Sequence, residues 1–311
     1  MKPKISAIIC TLNRAQYLEK ALNSLIHQSL PVKQYEIIIV DNGSIDDTEK
    51  ISKEYCFNSN IQYLYEPIRG LSQARNTGWQ NSSGEYIAFL DDDGLATYNW
   101  LEEIVTSFEK NSPSPDACGG KIELIWESNR PSWLTDSMLK PLGFFDYGNR
   151  QLFLNATEKN LGGGNMAFRK NIKEKIGLFN TNLGRKGSNL LSNEENEFFT
   201  RMKKQSLHIY YNPKIIALHH VTEERTKKKW FLQRYYWQGR SNAIKDMLIV
   251  KKPINYILIQ SINAFYELIK NLLKQAYLSI FHSNKEQLVF ENRCLIAAKF
   301  GYLFQIIRNL R

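Results

Sequence analysis

Three consecutive carboxylates, Asp91-Asp92-Asp93, followed by Gly94, are the residues of this 311-residue chain best suited to chemistry. Adjacent Asp side chains repel one another unless a positive charge neutralises them, and their hard oxygens suit Mg2+ or Mn2+. They close an unbroken apolar run, Tyr86-Ile87-Ala88-Phe89-Leu90, which has the pattern of a strand buried on both faces of a helix-covered parallel sheet. If the backbone stays extended, Asp91 and Asp93 share one face and Asp92 looks elsewhere. Ligands of open α/β sheets collect beyond the carboxyl ends of the strands, where the triplet falls. A solvated acidic turn is the competing account, since Asp and Gly are ordinary turn residues. Turns, however, rarely follow so continuous a buried run. A second feature, Leu161-Gly162-Gly163-Gly164-Asn165, lacks the Gly-Lys-Ser/Thr ending of a phosphate-binding P-loop. It brings a flexible backbone to the mouth of a strand.

The elements that must carry these residues follow from periodicity. Ile5 to Cys10 reads as a first strand, left by the loop Thr11-Leu12-Asn13-Arg14. Tyr17-Leu18, Ala21-Leu22 and Leu25-Ile26 recur at helical spacing until Pro31, as an amphipathic helix requires. Glu36 to Val40 is a second strand, ending at Asp41-Asn42-Gly43-Ser44, a turn that opens a helix at Asp46-Asp47-Thr48. Ile61 to Tyr65 is a third strand, Leu71 to Gln80 a helix and Tyr86 to Leu90 the fourth strand. This alternation predicts a parallel, doubly wound sheet. Trp100 to Phe108 continues as helix, and Cys118 to Asn160 reads as mixed sheet with long loops, the kind of segment that often binds ligands. Ser192 onward is helical, and Ile215 to His220 is the last strand. Beyond Lys229 the chain reads as helix.

Net charge is +10, but its distribution says more than its total. Residues 1–224 hold 25 Lys and Arg against 27 Asp and Glu, while residues 225–311 hold 16 against 4, a local charge of +12. A near-neutral body thus precedes a cationic appendage with different partners. Cys10, Cys56, Cys118 and Cys294 lie too far apart in sequence to suggest a zinc site or a disulfide framework. The start has no apolar h-region of the signal-peptide kind, and no stretch reaches the roughly eighteen uncharged apolar residues of a spanning helix. The expectation is a cytoplasmic protein, with a peripheral position at the inner face of the plasma membrane if the basic tail meets lipid.

Several motifs in order give the chain a family signature: Thr11-Leu12-Asn13-Arg14, Val40-Asp41-Asn42-Gly43-Ser44, Gly70 to Ala74-Arg75-Asn76, Asp91-Asp92-Asp93 and Asn193-Glu194-Glu195. With these the chain resembles the family 2 glycosyltransferases, over roughly residues 4–240, each motif weak alone and strong jointly. The resemblance implies the GT-A fold, a Rossmann-like α/β nucleotide-sugar-binding sheet with flanking helices. A dinucleotide-binding dehydrogenase would need G-x-G-x-x-G after strand one, and Thr11 to Gln16 has no glycine.

What the resemblance implies for single residues can be set beside their chemistry. Thr11, Arg14, Asp41 and Ser44 would line the nucleotide pocket, with Asp41 facing the base, and Arg75 would reach the nucleotide. An Asp can accept an N–H from a uracil ring, and an Arg gives charge-assisted bonds to oxygens. Alone, Asp41 to Ser44 also fits a helix-leading turn and cap, and Arg75 a surface helix residue. Within the triplet, Asp93 would bind Mn2+ or Mg2+, with Asp91 on the ribose or a metal-bound water and Asp92 beside the donor. His220 would be a further metal ligand or a packed core group. The Glu194-Glu195 pair stands where the family has Glu-Asp, whose second carboxylate is the general base. Glu195 is the expected base, with Glu194 as the other candidate, although Ser192 to Glu195 also fits a capping box. The glycine run would lie beside donor sugar and acceptor, where missing side chains let backbone approach a ligand.

Trp230 to Trp237 carries the Gln and Trp of the processive synthases' Gln-x-x-Arg-Trp signature, but Tyr236 stands at the Arg position. Single-sugar transfer is therefore expected. The aromatics fit a packed seam better than a nucleic-acid platform, and no nucleic-acid partner is expected. The division expected is a GT-A domain over residues 1–240 and a basic amphipathic helical region over 241–311. The function expected is inverting, metal-dependent transfer from a nucleotide-sugar, a UDP-sugar first, to a hydroxyl of a glycan or lipid-linked acceptor in surface-polysaccharide synthesis. The alternatives are a non-catalytic nucleotide-sugar-binding protein and a nucleotidyltransferase. Cationic helices with an apolar face would meet an anionic membrane surface, or else pack on the body or on another subunit.

Overall fold

A computed structural model of the chain describes residues 2–155, 157, 159–249, 254–282 and 285–310. It forms two compact units, one of Met1–Ile125, Gly143–Thr181 and Glu194–His220, the other of Trp126–Leu142, Asn182–Asn193 and Val221–Arg311.

The first unit begins with three strand-helix repeats. These are β1 (Ile5–Thr11) and α1 (Ala15–Ile26), β2 (Tyr35–Asp41) and α2 (Thr48–Tyr55), β3 (Ile61–Tyr65) and α3 (Leu71–Asn81). Then come β4 (Tyr86–Asp91), β5 (Gly94–Ala96), α4 (Trp100–Lys110), β6 (Ala117–Trp126), β7 (Leu152–Phe153), β8 (Asn165–Arg169), α5 (Ile172–Ile176), α6 (Glu194–Lys204) and β9 (Ile209–Val221). Among the described residues the strands make one sheet of order β3-β2-β1-β4-β8-β6-β9-β5, with β7 on β9.

The apolar runs behave as their patterns require. Ile5, Ala7 and Ile9 of β1 face Leu18, Leu22 and Leu25 of α1 and Trp100, Ile104 and Phe108 of α4. Ile8 faces the other way, into a core with Trp79 of α3 and Phe198, Phe199 and Met202 of α6. Alternation with period two is what puts consecutive residues of one strand into two cores. Each such large side chain contributes about 1.5–3 kcal/mol by leaving water.

The expectation of a parallel, doubly wound sheet holds for β3, β2, β1 and β4 and fails beyond them. β8 pairs antiparallel with both β4 and β6, and β9 pairs antiparallel with β5 and β7. Parallel neighbours need a crossover of a dozen residues or so, which α1, α2 and α3 supply among β1 to β4, whereas β6, β7 and β8 follow one another with no α-helix between them. Asn165 pins this second half. Fully buried, it accepts from Trp100 Nε1 at 2.8 Å and donates through Nδ2 to the carbonyls of Lys121 and Ile215.

The second unit contains α7 (Lys228–Ile249), α8 (Ile254–Phe281) and α9 (Glu286–Leu310). A Cβ on Gly239 of α7 would lie 1.8 Å from the Ala298 carbonyl oxygen, and one on Gly301 of α9 would lie 1.9 Å from that of Tyr236. These glycines allow α7 and α9 to touch backbone to backbone. Trp133 packs edge-on against Phe231 and Phe290, so the Trp230 to Trp237 aromatics serve a packed seam. The compact units therefore divide elsewhere than at residue 240. All of α7 belongs with the later helices, because its packing partner is α9, a partner that composition does not display.

Candidate active site

Parallel register brings three strand ends to one edge: Thr11 lies opposite Asp41, and Cys10 opposite Asp91. Hydrogen bonds lace the loops that follow. Asn13, with φ 53°, donates its N–H to Ser44 Oγ at 2.9 Å and accepts from the Ile45 N–H through Oδ1 at 2.8 Å. Asn is among the few residues that adopt this left-handed conformation readily. Asp41, buried, accepts from the Ser44 N–H at 2.8 Å and from the Tyr63 hydroxyl at 3.0 Å. Burial, reinforced by Asp41, pushes the Tyr63 hydroxyl upward. Asn42 holds the next loop, donating to the carbonyls of Glu66 and Ile68 and accepting from the Gly70 N–H at 2.6 Å.

Two arginines neutralise the triplet. Arg14 Nη2 lies 2.6 Å from Asp93 Oδ2 and its Nε 3.3 Å from Asp92 Oδ1, while Arg75 Nη2 lies 3.6 Å from Asp91 Oδ1. Burial lowers the affinity of the Arg14 guanidinium for its proton, but the Asp92, Asp93 and Asp91 charges outweigh burial and raise it. Burial pushes the Asp92 carboxyl up to about 6, against the pull of the Arg14 charge and the Thr11 hydroxyl and with the push of Asp93. Desolvation pushes the part-buried Cys10 thiol up to about 12, too high for a thiolate nucleophile at neutral pH.

One oxygen of Asp91, one of Asp93 and one ring nitrogen of His219 lie within 4.8 Å of one another. His219 Nε2 is 3.2 Å from Asp93 Oδ1. His220, expected as a further metal ligand or a packed core group, is not in this cluster, and its neighbour His219 is. Adjacent residues of a strand point to opposite sides, and the register sets Gly94 opposite His219. The His220 ring packs 5.7 Å from that of Tyr17, and the backbone N–H of His220 donates to the Asp93 carbonyl at 3.0 Å. Gly143, with φ 100°, closes the far side of His219, where an added Cβ would come within 3.3 Å of the ring.

The glycine run crosses this group. A Cβ on Gly164 would lie 2.5 Å from Asp91 Oδ2, and one on Gly163 would lie 3.5 Å from Glu195 Cγ and 3.6 Å from Arg75 Nη2. The run thus brings the metal-type cluster and the glutamate pair into one site. Arg75 is buried, with its guanidinium against the rings of Phe89 and Phe179, rather than on a helix surface. It donates to Glu194 Oε1 at 2.8 Å and to the Gly163 carbonyl at 3.1 Å. Burial opposes its charge, yet Glu194, Asp91 and Glu195 hold its pKa raised. Glu194 is buried, whereas Glu195 is half-buried and accepts from Asn196 Nδ2 at 2.9 Å. Because α6 starts at Glu194, Ser192 lies outside the cap position, and its hydroxyl lies 3.2 Å from Gln238 Oε1.

Chemically, two carboxylates and an imidazole on a cation-sized spacing make a mixed oxygen and nitrogen donor set that fits Mn2+ or Mg2+, and a half-exposed carboxylate stands nearby. His219, Tyr63 and Gly143 are the members that the sequence reading missed. Period-two alternation along β9 is the signal that separates His219 from His220.

Comparisons with known proteins give the family and the fold. Residues 6–177 match the model of glycosyl transferase family 2. The chain is 24% identical over 311 residues to a glucosyl-dolichyl phosphate glucuronosyltransferase of Haloferax volcanii, covering 98% of this chain and 96% of that one. It is 30% identical over 184 residues to the glycosyltransferase AglE of the same organism, across 58% of this chain and 57% of the relative. Among solved structures, the mannosyltransferase PcManGT of Pyrobaculum calidifontis, in complex with GDP-Man and Mn2+, superposes with a TM-score of 0.64 at 17% identity, covering 98% of this chain and 88% of that one. A structure of TarS from S. aureus gives a TM-score of 0.51 at 17% identity, covering 99% and 92%. These likenesses show the GT-A fold. With its family model spanning more than half its length, the chain belongs to glycosyl transferase family 2 and is a glycosyltransferase.

Proposed function

We propose that this glycosyltransferase moves a sugar from a nucleotide-sugar, a UDP-sugar first, to the hydroxyl of a lipid-linked or glycan acceptor, with inversion and with a divalent cation. The observation that carries the reading is the gathering of Asp91, Asp93 and His219 within 4.8 Å, beside the glycine run that also meets Glu195. Asp93, Asp91 and His219 would hold Mn2+ or Mg2+, which when bound supplies Lewis-acid neutralisation of charge on the departing diphosphate. His219 takes the place that the sequence reading gave to His220.

Thr11, Arg14, Asp41 and Ser44 line the nucleotide side. The buried Asp41 carboxylate keeps acceptor capacity for a ring N–H such as that of uracil. Arg75 positions Glu194 and the Gly163 carbonyl, so Glu194 is structural and Glu195 is the base. Glu195 takes the proton of the acceptor hydroxyl while that oxygen bonds the anomeric carbon and the bond to the diphosphate breaks. One displacement at one carbon inverts its configuration. The name of the relative matched end to end, a glucosyl-dolichyl phosphate glucuronosyltransferase, supports a lipid-linked acceptor. Catalysis is assigned to residues 1–240, the strands and α6 within them.

A panel of UDP- and GDP-sugars, offered with and without Mn2+ to lipid and glycan acceptors, tests the reading. Cation-dependent release of free nucleoside diphosphate with product formation is expected. Binding without turnover would return the non-catalytic alternative.

A further inference from the structure

Helix α8 carries an apolar face for which the rest of the described chain provides no cover. Leu258, Ile262, Phe265, Ile269, Leu272 and Ile280 recur at helical steps and are 41% to 71% exposed, although such side chains ordinarily line a core. The opposite side is spoken for. Ala264, Leu268 and Leu278 are buried, and Asn292 of α9 donates to the Asn271 carbonyl at 2.9 Å. At 28 residues α8 runs about 42 Å, so the face is far larger than the scattered exposed apolar residues of an ordinary surface.

We propose that this face lies in the headgroup region of an anionic lipid bilayer. Three observations select that occupant. The exposed Tyr266 and Tyr277 stand at the rim of the face, with Lys270 and Lys274 beyond them on the same side, the order of side chains that an interfacial helix presents from acyl chain to headgroup. Residues 225–311 carry a net +12, which attracts anionic headgroups and repels a second copy of the same region. No described helix is long and apolar enough to cross a membrane, so α8 lies along the surface with its other side on α9. The inference does not rest on the sugar-transfer reading, because it uses only the helical unit.

Flotation of the full chain with phosphatidylcholine vesicles, with and without phosphatidylglycerol, tests it. The wild type should float with the anionic vesicles at low salt and be released by high salt. The variant Ile262→Gln/Phe265→Gln/Ile269→Gln, which keeps good helix formers on exposed positions, should bind about tenfold less or weaker still while melting like the wild type. Lys270→Glu/Lys274→Glu should also weaken binding and flatten the salt dependence, which keeps the test open if the triple variant folds poorly. A wild type that ignores anionic vesicles at low salt would overturn the proposal. So would unchanged flotation of both variants, or a dimer in solution that the triple variant dissociates without changing flotation.

Discussion

Arg14 and Arg75 answer a problem that three adjacent aspartates create. Each carboxylate lies within 4 Å of a guanidinium, and the protein thereby supplies positive charge at the triplet from its own loops and from α3. Arg75 also distinguishes the two glutamates, because it pairs with Glu194 and leaves Glu195 half-buried, which is the ground for proposing Glu195 as the base. Glu195→Gln should cut kcat by roughly 10²–10⁴-fold with nucleotide binding unchanged, as loss of a general base does. Glu194→Ala should instead destabilise the fold by about 3–5 kcal/mol, by stranding a buried cation, and would show as a lowered melting temperature. If Glu194→Gln abolishes turnover in a stable protein and Glu195→Gln does not, the assignments are reversed. The histidines separate in a similar way. His219→Ala should weaken Mn2+ binding, measured by titration calorimetry, by about tenfold or more, and His220→Ala should leave it near wild type. Equal loss from both would contradict the geometry at β9.

At the level of elements, legibility in the sequence followed burial. β1, β2 and β4 are largely apolar on consecutive positions because both faces are covered, and they were readable together with α1, α3 and α4, while β3, at the sheet edge, is buried only at Ile61. Strands β6, β8 and β9 carry glycines, polar residues and mixed patterns, so their existence could be sensed but their direction could not. Direction there depends on contacts such as those of Asn165, which joins residues 44 to 65 positions away in sequence. The α7/α9 contact was equally hidden, since nothing local marks Gly239 and Gly301 as a pair. Gly301→Ala should therefore cost about 1–3 kcal/mol, the usual range for overpacking, and lower the urea midpoint. An unchanged midpoint would mean that the two backbones are not in contact. Between the same helices Asp246 accepts from the Tyr302 hydroxyl at 3.1 Å. Burial pushes its pKa up, partly offset by the Lys245 charge and that hydroxyl. A raised folded-state value means that its contribution to stability is full below the ordinary Asp value of about 3.9 and is lost as pH rises through the folded value. Asp246→Asn should melt higher than wild type at neutral pH, with the gap closing near pH 4 (about the ordinary Asp value). A gap independent of pH would sink this reading.

On the scale of the whole molecule, charge and chemistry are partitioned. The candidate catalytic groups, Asp91, Asp93, His219, Arg75 and Glu195, all belong to the unit built on the sheet, while the +12 belongs to residues 225–311. The two compact units each take discontinuous segments of chain, which is why a single boundary at residue 240 describes composition better than packing. The central claim is that sugar transfer depends on a cation held at the aspartate cluster. Release of nucleoside diphosphate from the best donor, compared between wild type and Asp93→Ala with and without Mn2+, tests it most directly. The expected result is turnover by the wild type that requires Mn2+, and loss of that turnover in a variant that still melts as a folded protein, since the substitution lies at a strand end. Mn2+-dependent turnover at wild-type rate in Asp93→Ala, or equal wild-type turnover with Mn2+ and with a chelator, would contradict it.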